Sequence, residues 1–432
     1  MSSAARASVL MLTARASLLA LGFGNTVLTA RLLQPEGRGA YASTMAALTL
    51  FTLTVGSVGN GVALSAAHDD EDTRRRAVTG SVGLAIGGGL LPLLVLVAWH
   101  PGGAWYVPAL VAAASTPLVL LTNSAQFACL GRDRLGWVAT LQLVQPALLV
   151  SLGAGLMLGL HAGLLGAMLA WTLSWAITSG IGLYVLAALG WRPRLAELPP
   201  WRSTRLMEFG VGASGYNLLS YFTNRSLLFL VQGLMGLGAA GVFSVAVTLA
   251  EPVSSMSVAL SSAAYPRLVA AAGRPAEARR FLQLALVASL LGGTAILLLA
   301  LLLLVPLFGS AYRGALVPLP FLLLAYVVLS GREIATLWYV HELKSYGIPI
   351  RASLVSFVAT LGLALPLTAR FGATGAAAGA VLGGLVMMTI LLTRLRRRGL
   401  AWRYLLTPDP SLLGPLAAIR AATARGAPGS TD

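Results

Sequence analysis

Charge is scarce in this chain, and cysteine and lysine are almost missing. Charged residues are 10% of the 432 positions, against about 25% in a typical soluble domain. That excludes an ordinary water-soluble domain. The one cysteine, Cys129, lies in an apolar run, so neither an internal disulfide nor a cysteine-built metal cluster can form. Lys344 is the single lysine. Nothing resembles a nucleotide-binding loop. The short loops that offer Glu36 and His161 hold no clustered carboxylates for acid/base chemistry. The chain is therefore expected to be no enzyme and to carry no metal and no cofactor.

Apolar sequence is what the chain has in quantity. Hydrophobic residues make up 57%, in runs near or above about 18 residues, long enough to cross a bilayer as helices and too continuous for a barrel. The formal net charge of +16 is spread over short loops, as the positive-inside rule expects. It marks a membrane surface, not nucleic acid.

About twelve spans fit, at roughly 20 apolar residues each. They are residues 9–32, 40–66, 77–98, 106–130, 137–160, 163–189, 208–232, 239–264, 281–307, 315–340, 348–369 and 372–393. The first span reads as retained, since Arg15 interrupts the run that a signal peptide would need. Alternate loops carry the basic residues: Arg74-Arg75-Arg76, Arg132 and Arg134, then Arg192, Arg194, Arg202 and Arg205. Arg267, Arg274, Arg279, Arg280, Lys344 and the cluster from Arg394 to Arg398 follow on the same side. The opposite loops hold few, which places both termini in the cytoplasm. The Pro-rich connection at 191–207 divides two lobes, 1–190 and 208–400, and leaves a tail at 401–432.

The two lobes repeat each other. Gly39-Ala40-Tyr41-Ala42 lies over Gly241-Val242-Phe243-Ser244, 202 residues later. Gly163-Leu164-Leu165-Gly166-Ala167 lies over Gly372-Ala373-Thr374-Gly375-Ala376, 209 residues later. Each match opens the same ordinal span of its lobe. Pro35 and Gly37 are expected to break the helix before the first match, with Gly39 allowing a tight return into the next. Because six spans is an even number, the halves are parallel repeats about an axis along the membrane normal, with a central cleft between them. The fold class is an all-α polytopic membrane protein.

The run Arg31-Leu32-Leu33-Gln34-Pro35-Glu36-Gly37-Arg38-Gly39-Ala40-Tyr41 resembles the L-G-P-x-G-x-G-x-Y turn of polysaccharide flippases. These belong to the multidrug/oligosaccharidyl-lipid/polysaccharide (MOP) exporter superfamily. The chain departs at Gln34, where Gly is more usual. The resemblance implies flipping of an undecaprenyl-diphosphate-linked oligosaccharide from the inner to the outer leaflet of a bacterial plasma membrane. It also implies service to a polysaccharide polymerase and glycosyltransferases. A cation-coupled multidrug exporter and a peptidoglycan-precursor flippase are the alternatives within reach of the same resemblance.

Charges inside spans are costly, about 2.5–3.5 kcal/mol on insertion scales, and point to a cavity or a partner. Span seven places Asn217, Tyr221, Asn224 and Arg225 on one stripe, and span eight places Ser244, Thr248, Glu251 and Ser255 on another. With Arg15 and Asn25 of span one, these would line the cleft. Arg15 and Arg225 would hold a diphosphate. Asn217, Tyr221 and Asn224 would meet sugar hydroxyls, Asn25 is a further substrate-binding candidate, and Glu251 would couple transport to H⁺ or Na⁺. The plainer readings are that Arg15 snorkels to headgroups and that Arg225 and Glu251 neutralise each other. Arg332 and Glu333 are secondary candidates: adjacent on a helix, they point about 100° apart and suit helix packing better. Glu36 and Arg38 read as parts of a turn at the outer rim, remote from the chemistry.

Overall fold

The computed structural model describes residues 3–56, 59–100, 102–191, 204–270, 275–343 and 347–396. In the first lobe the helices are α1 (Ser3–Gly56), α2 (Gly59–His68), α3 (Glu71–Gly89), α4 (Leu91–Trp99), α5 (Tyr106–Ala113), α6 (Thr116–Gly131), α7 (Leu135–Ala154) and α8 (Gly163–Ala188). In the second they are α9 (Thr204–Ala270), α10 (Pro275–Phe308), α11 (Leu319–Val328), α12 (Arg332–Leu343), α13 (Gly347–Phe371) and α14 (Ala373–Arg396).

Ten described helical stretches are long and apolar enough to cross a membrane. Two of them, Ala16–Gly56 and Tyr221–Ser261, run for 41 residues each. At about 1.5 Å per residue, each is twice the length a 30 Å core needs. Each is broken at one residue: Gln34 (φ 59°, ψ 174°) in α1 and Gly236 (φ 85°, ψ 175°) in α9. The chain folds back there. In α1, Arg38 reaches Thr29 and Asn25 reaches Tyr41. In α9, Arg225 reaches Glu251, 26 residues along. Eight single crossings and two doubled ones make the twelve spans of the sequence reading.

The break is shorter than the sequence suggests. Neither Pro35 nor Gly37 is non-helical. Pro35 opens the second arm of α1, where its missing N–H is no loss, and Gln34 alone takes the turn. Gln34 and Gly236 stand 202 residues apart, the spacing of the first sequence repeat. The second repeat holds as well. Gly163 (φ 52°) and Gly372 (φ 61°) both adopt the left-handed conformation that glycine tolerates. The helical backbone of α9 runs on through Pro252.

Packing follows the rules of a bilayer. Small residues let helices approach closely: a Cβ on Gly379 would meet Ala364 Cα at 2.7 Å, and one on Gly383 would meet Thr360 Cβ at 2.8 Å, so α13 and α14 lie tightly together. Large aliphatic side chains point outward, with Leu298, Leu299, Leu301 and Leu302 of α10 more than half exposed. The first lobe has its own core of Val62, Val78, Leu141, Leu186 and Trp191. The larger second core, around Leu227, Phe243, Phe308 and Leu319, also takes in Ala30 and Ala46 of α1. That is where the lobes meet.

Of the expected linker at 191–207, Trp191 is fully buried in the first lobe. Its Nε1 donates to Glu71 Oε1 at 2.6 Å, and Arg132 stacks over its ring at 5.3 Å. Residues 204–207 already belong to α9. The arginines of the linker at 192–202, Lys344 and the tail at 401–432 lie outside the described residues.

Candidate functional site: a charged cavity between the lobes

The second arm of α1 and the corresponding arm of α9 cross at two glycines. A Cβ on Gly39 would overlap the Leu237 carbonyl oxygen and lie 3.0 Å from Gly241 N. A Cβ on Gly241 would overlap the Pro35 carbonyl oxygen and lie 2.9 Å from Gly39 N. The arms therefore touch backbone to backbone beside the kinks. The sequence reading gave Gly39 to the turn; its place is this crossing.

Beyond the crossing the arms diverge around a cavity of about 150 Å³. Arg38, Tyr41, Ala42, Met45, Ala46 and Thr49 line it from α1. Their spacings of three and four residues make one helical face. Ser244, Val247 and Thr248 line it from α9 at positions equivalent by the 202-residue repeat to Ala42, Met45 and Ala46. The cavity therefore sits on the axis relating the two lobes. Tyr221, Arg225 and Leu228, from the first arm of α9, complete the wall.

Its charges do not follow the repeat. Arg225 is ion-paired through Nη2 to Glu251 Oε1 and lies 5.9 Å from the Tyr221 ring centroid. Tyr221 donates its hydroxyl across the lobes to the Ala46 carbonyl at 2.9 Å. Arg38 is 5% exposed; its Nη1 donates to Thr29 Oγ1 at 2.8 Å and its guanidinium carbon is 5.5 Å from the Tyr41 ring centroid. By the same repeat, Arg38 corresponds to Ala240 and Glu251 to Thr49. Among the described residues, two arginines and one carboxylate give the site a net positive charge.

The structure thus gathers Tyr221, Arg225 and Glu251 from the sequence candidates. Asn25 stands one layer behind, with its Nδ2 3.5 Å from the Tyr41 hydroxyl. Arg15, Asn217 and Asn224 are on helical backbone, and their side chains fall outside the described residues. Arg332 and Glu333 are elsewhere, beside a 10 Å³ space with Ser254, Ser257 and Tyr326. Arg332 wraps onto its neighbour, Nε and Nη2 both donating to Glu333 Oε1 at 2.9 and 2.6 Å. The long arginine side chain spans the angle that separates the two positions. Among the described residues no group of three His, Cys, Asp or Glu side chains stands together to hold a metal.

Arg38 is the residue the sequence reading missed. The sequence alone puts it at an outer rim, because Gly37 and Gly39 flank it and Pro35 precedes it. The signal that finds it is the spacing from Arg38 through Tyr41 and Met45 to Thr49, a helical face that starts inside the supposed turn.

The model of the family described as "Polysaccharide biosynthesis protein" matches residues 6–271. The chain belongs to this polysaccharide biosynthesis protein family. A search of curated protein sequences returned no significant match. Among solved structures, an inward-facing multidrug resistance MATE family transporter of the MOP superfamily superposes with a TM-score of 0.71, at 16% identity over 88% of this chain and 94% of that one. The lipid II flippase MurJ in an inward closed conformation gives 0.72 at 10% identity, over 90% and 87% of the two chains. A MOP superfamily transporter from Pyrococcus furiosus, described as having a binding pocket of reversed polarity, gives 0.60 at 16% identity, over 91% and 94%. The likeness is one of fold. This polysaccharide biosynthesis family member thus shares the fold of these MOP superfamily transporters, with ten described helical stretches long and apolar enough to cross a membrane.

Proposed function

We propose that the protein flips an undecaprenyl-diphosphate-linked oligosaccharide from the inner to the outer leaflet of a bacterial plasma membrane by alternating access. The observation that carries this reading is the cavity on the axis between the lobes, where Arg38 and Arg225 outnumber the single carboxylate Glu251. A net cationic, partly dehydrated site favours an anionic group, and guanidinium can take two phosphate oxygens at once. The family description supports a polysaccharide precursor as the cargo.

In this reading Arg225 meets the diphosphate and Tyr221 and Asn25 meet sugar hydroxyls, with Arg15, Asn217 and Asn224 extending the surface along the same helices. Glu251 exchanges between Arg225 and a coupling cation, H⁺ or Na⁺. Both termini face the cytoplasm, so the kinks at Gln34 and Gly236 lie at the outer face, and the Gly39–Gly241 crossing closes the outer side. A polymerase in the same membrane would extend the delivered unit, which glycosyltransferases assembled on the inner face.

The test is a flipping assay. Purified protein in vesicles is given a fluorescent undecaprenyl-diphosphate oligosaccharide, and leaflet accessibility is followed in time. Acceleration over empty vesicles is expected, and its absence would sink the proposal. Parallel assays with a lipophilic cationic drug and with the peptidoglycan precursor separate the two neighbouring activities.

A further inference from the structure

Arg38 differs from Arg225, the other described cation around the cavity. It is buried within the second arm of α1, one residue before the Gly39 crossing. Arg225 has Glu251 for a partner, whereas Arg38 forms no ion pair with any described carboxylate. Its polar contact is one hydroxyl, Thr29 Oγ1, and its Nε is buried with no hydrogen-bond partner. A guanidinium inside a membrane protein is costly, and an unsatisfied buried N–H adds to that cost. Packing alone gives no return for either. The neighbouring space of about 150 Å³ amounts to about five waters at roughly 30 Å³ each, enough for a phosphate-sized group.

We infer that Arg38 is an anion-docking residue, the deepest station of the cavity, and that it takes a phosphate or diphosphate oxygen when the kinked end is closed. Thr29 and the Tyr41 ring hold the guanidinium in place from behind, leaving its donors for the ligand. The inference rests on the transport reading above and sharpens it. Arg225 is occupied by Glu251, so among the described residues the cation at the cavity left for an incoming anion is Arg38. Its counterpart in the second lobe is Ala240, so there is one such station and not a symmetric pair. The shared chemistry is the diphosphate, whether free or carried on a prenyl lipid.

The experiment uses the full chain in nanodiscs, with Cys129→Ser and a single reporter, Ala42→Cys, one turn along from Arg38. The rate of maleimide labelling is measured with inorganic pyrophosphate and, separately, with farnesyl diphosphate. Either probe is expected to slow labelling by about tenfold, and Arg38→Gln to abolish that protection. Arg38→Lys should keep part of it. Protection by farnesyl diphosphate alone supports the inference and assigns the anion to a lipid. An unprotected parent, or Arg38→Gln protected as fully as the parent, overturns it. Should Arg38→Gln fail to insert, Thr29→Val decides: weakened protection supports the inference, undiminished protection overturns it. The flipping assay separates the two levels of the reading. Arg38-dependent protection without flipping removes the transport reading and leaves the anion site. Flipping at the parental rate in Arg38→Gln removes the Arg38 station alone.

Discussion

Gly39 and Gly241 make the same contact from opposite sides: each occupies the space where a Cβ would strike the carbonyl four residues before the other. The repeat seen in the sequence is therefore a contact in space. It is a pseudo-two-fold crossing without side chains, and it brings the two arms together beside the kinks.

A methyl group at this crossing has nowhere to go, because its neighbours are backbone and not flexible side chains. Gly241→Ala is expected to force the arms apart by about 1 Å or more, since its Cβ would overlap the Pro35 carbonyl oxygen. A cysteine at Ala46 should then react faster with a membrane-impermeant maleimide supplied from the kinked end. Equal rates in parent and variant would show that the crossing does not seal that end. The double variant with Gly39→Ala should react faster still.

Among the described residues, Glu251 is the carboxylate paired with a cavity cation. Glu251→Gln leaves Arg225 without its ion pair and raises the net charge of the site by one. Anion binding should tighten, while transport loses its response to an imposed ion gradient. The measurement is flipping with and without an ionophore. A variant that still responds to the gradient would assign coupling to another group.

The lobes are also joined beside the kinks by polar contacts. Tyr312 donates to the Ala30 carbonyl at 3.0 Å, and Arg31 donates through Nε and Nη2 to the Leu307 and Pro306 carbonyls at the end of α10. Tyr312→Phe removes one hydrogen bond and keeps the ring contact with Phe308. A loss of about 1 kcal/mol is expected, read as a lower thermal midpoint in detergent. Arg31→Ala should cost more, since two carbonyls lose their donor.

Trp191 anchors the start of the connection between lobes by its hydrogen bond to Glu71 and its stacking with Arg132. Trp191→Phe is expected to lower stability by about 1–2 kcal/mol, one hydrogen bond and part of one cation–π contact. Glu71→Gln, which keeps an acceptor oxygen, should cost less. The comparison of the two melts checks the assignment.

The fold was legible because lipid imposes it: a bilayer demands apolar runs of about 20 residues and leaves the charges to the loops. The repeats at Gly39 and Gly163 were readable because both glycines sit where the backbone itself makes the contact or the turn. Helical spacing on consecutive spans groups Tyr221, Arg225 and Glu251, and the structure brings the three together. Arg38 was not legible, because a turn taken by one residue looks in sequence like a turn of five, and that difference moves Arg38 from a rim to the interior. The close fold of Arg332 onto Glu333 was equally hidden, since residue spacing describes Cβ directions and not the reach of a flexible side chain.

The two kinks share a spacing and a backbone shape but not a residue type. Gly236 takes its conformation freely, whereas Gln34 holds a region of φ/ψ space that is nearly glycine's alone, at a cost of about 1–3 kcal/mol. The molecule is thus mechanically lopsided, with a loaded spring at one elbow and a slack joint at the other. In any movement that relaxes Gln34, the first lobe gives back stored energy while the second gives back none, so the two halves of a symmetric fold need not move together.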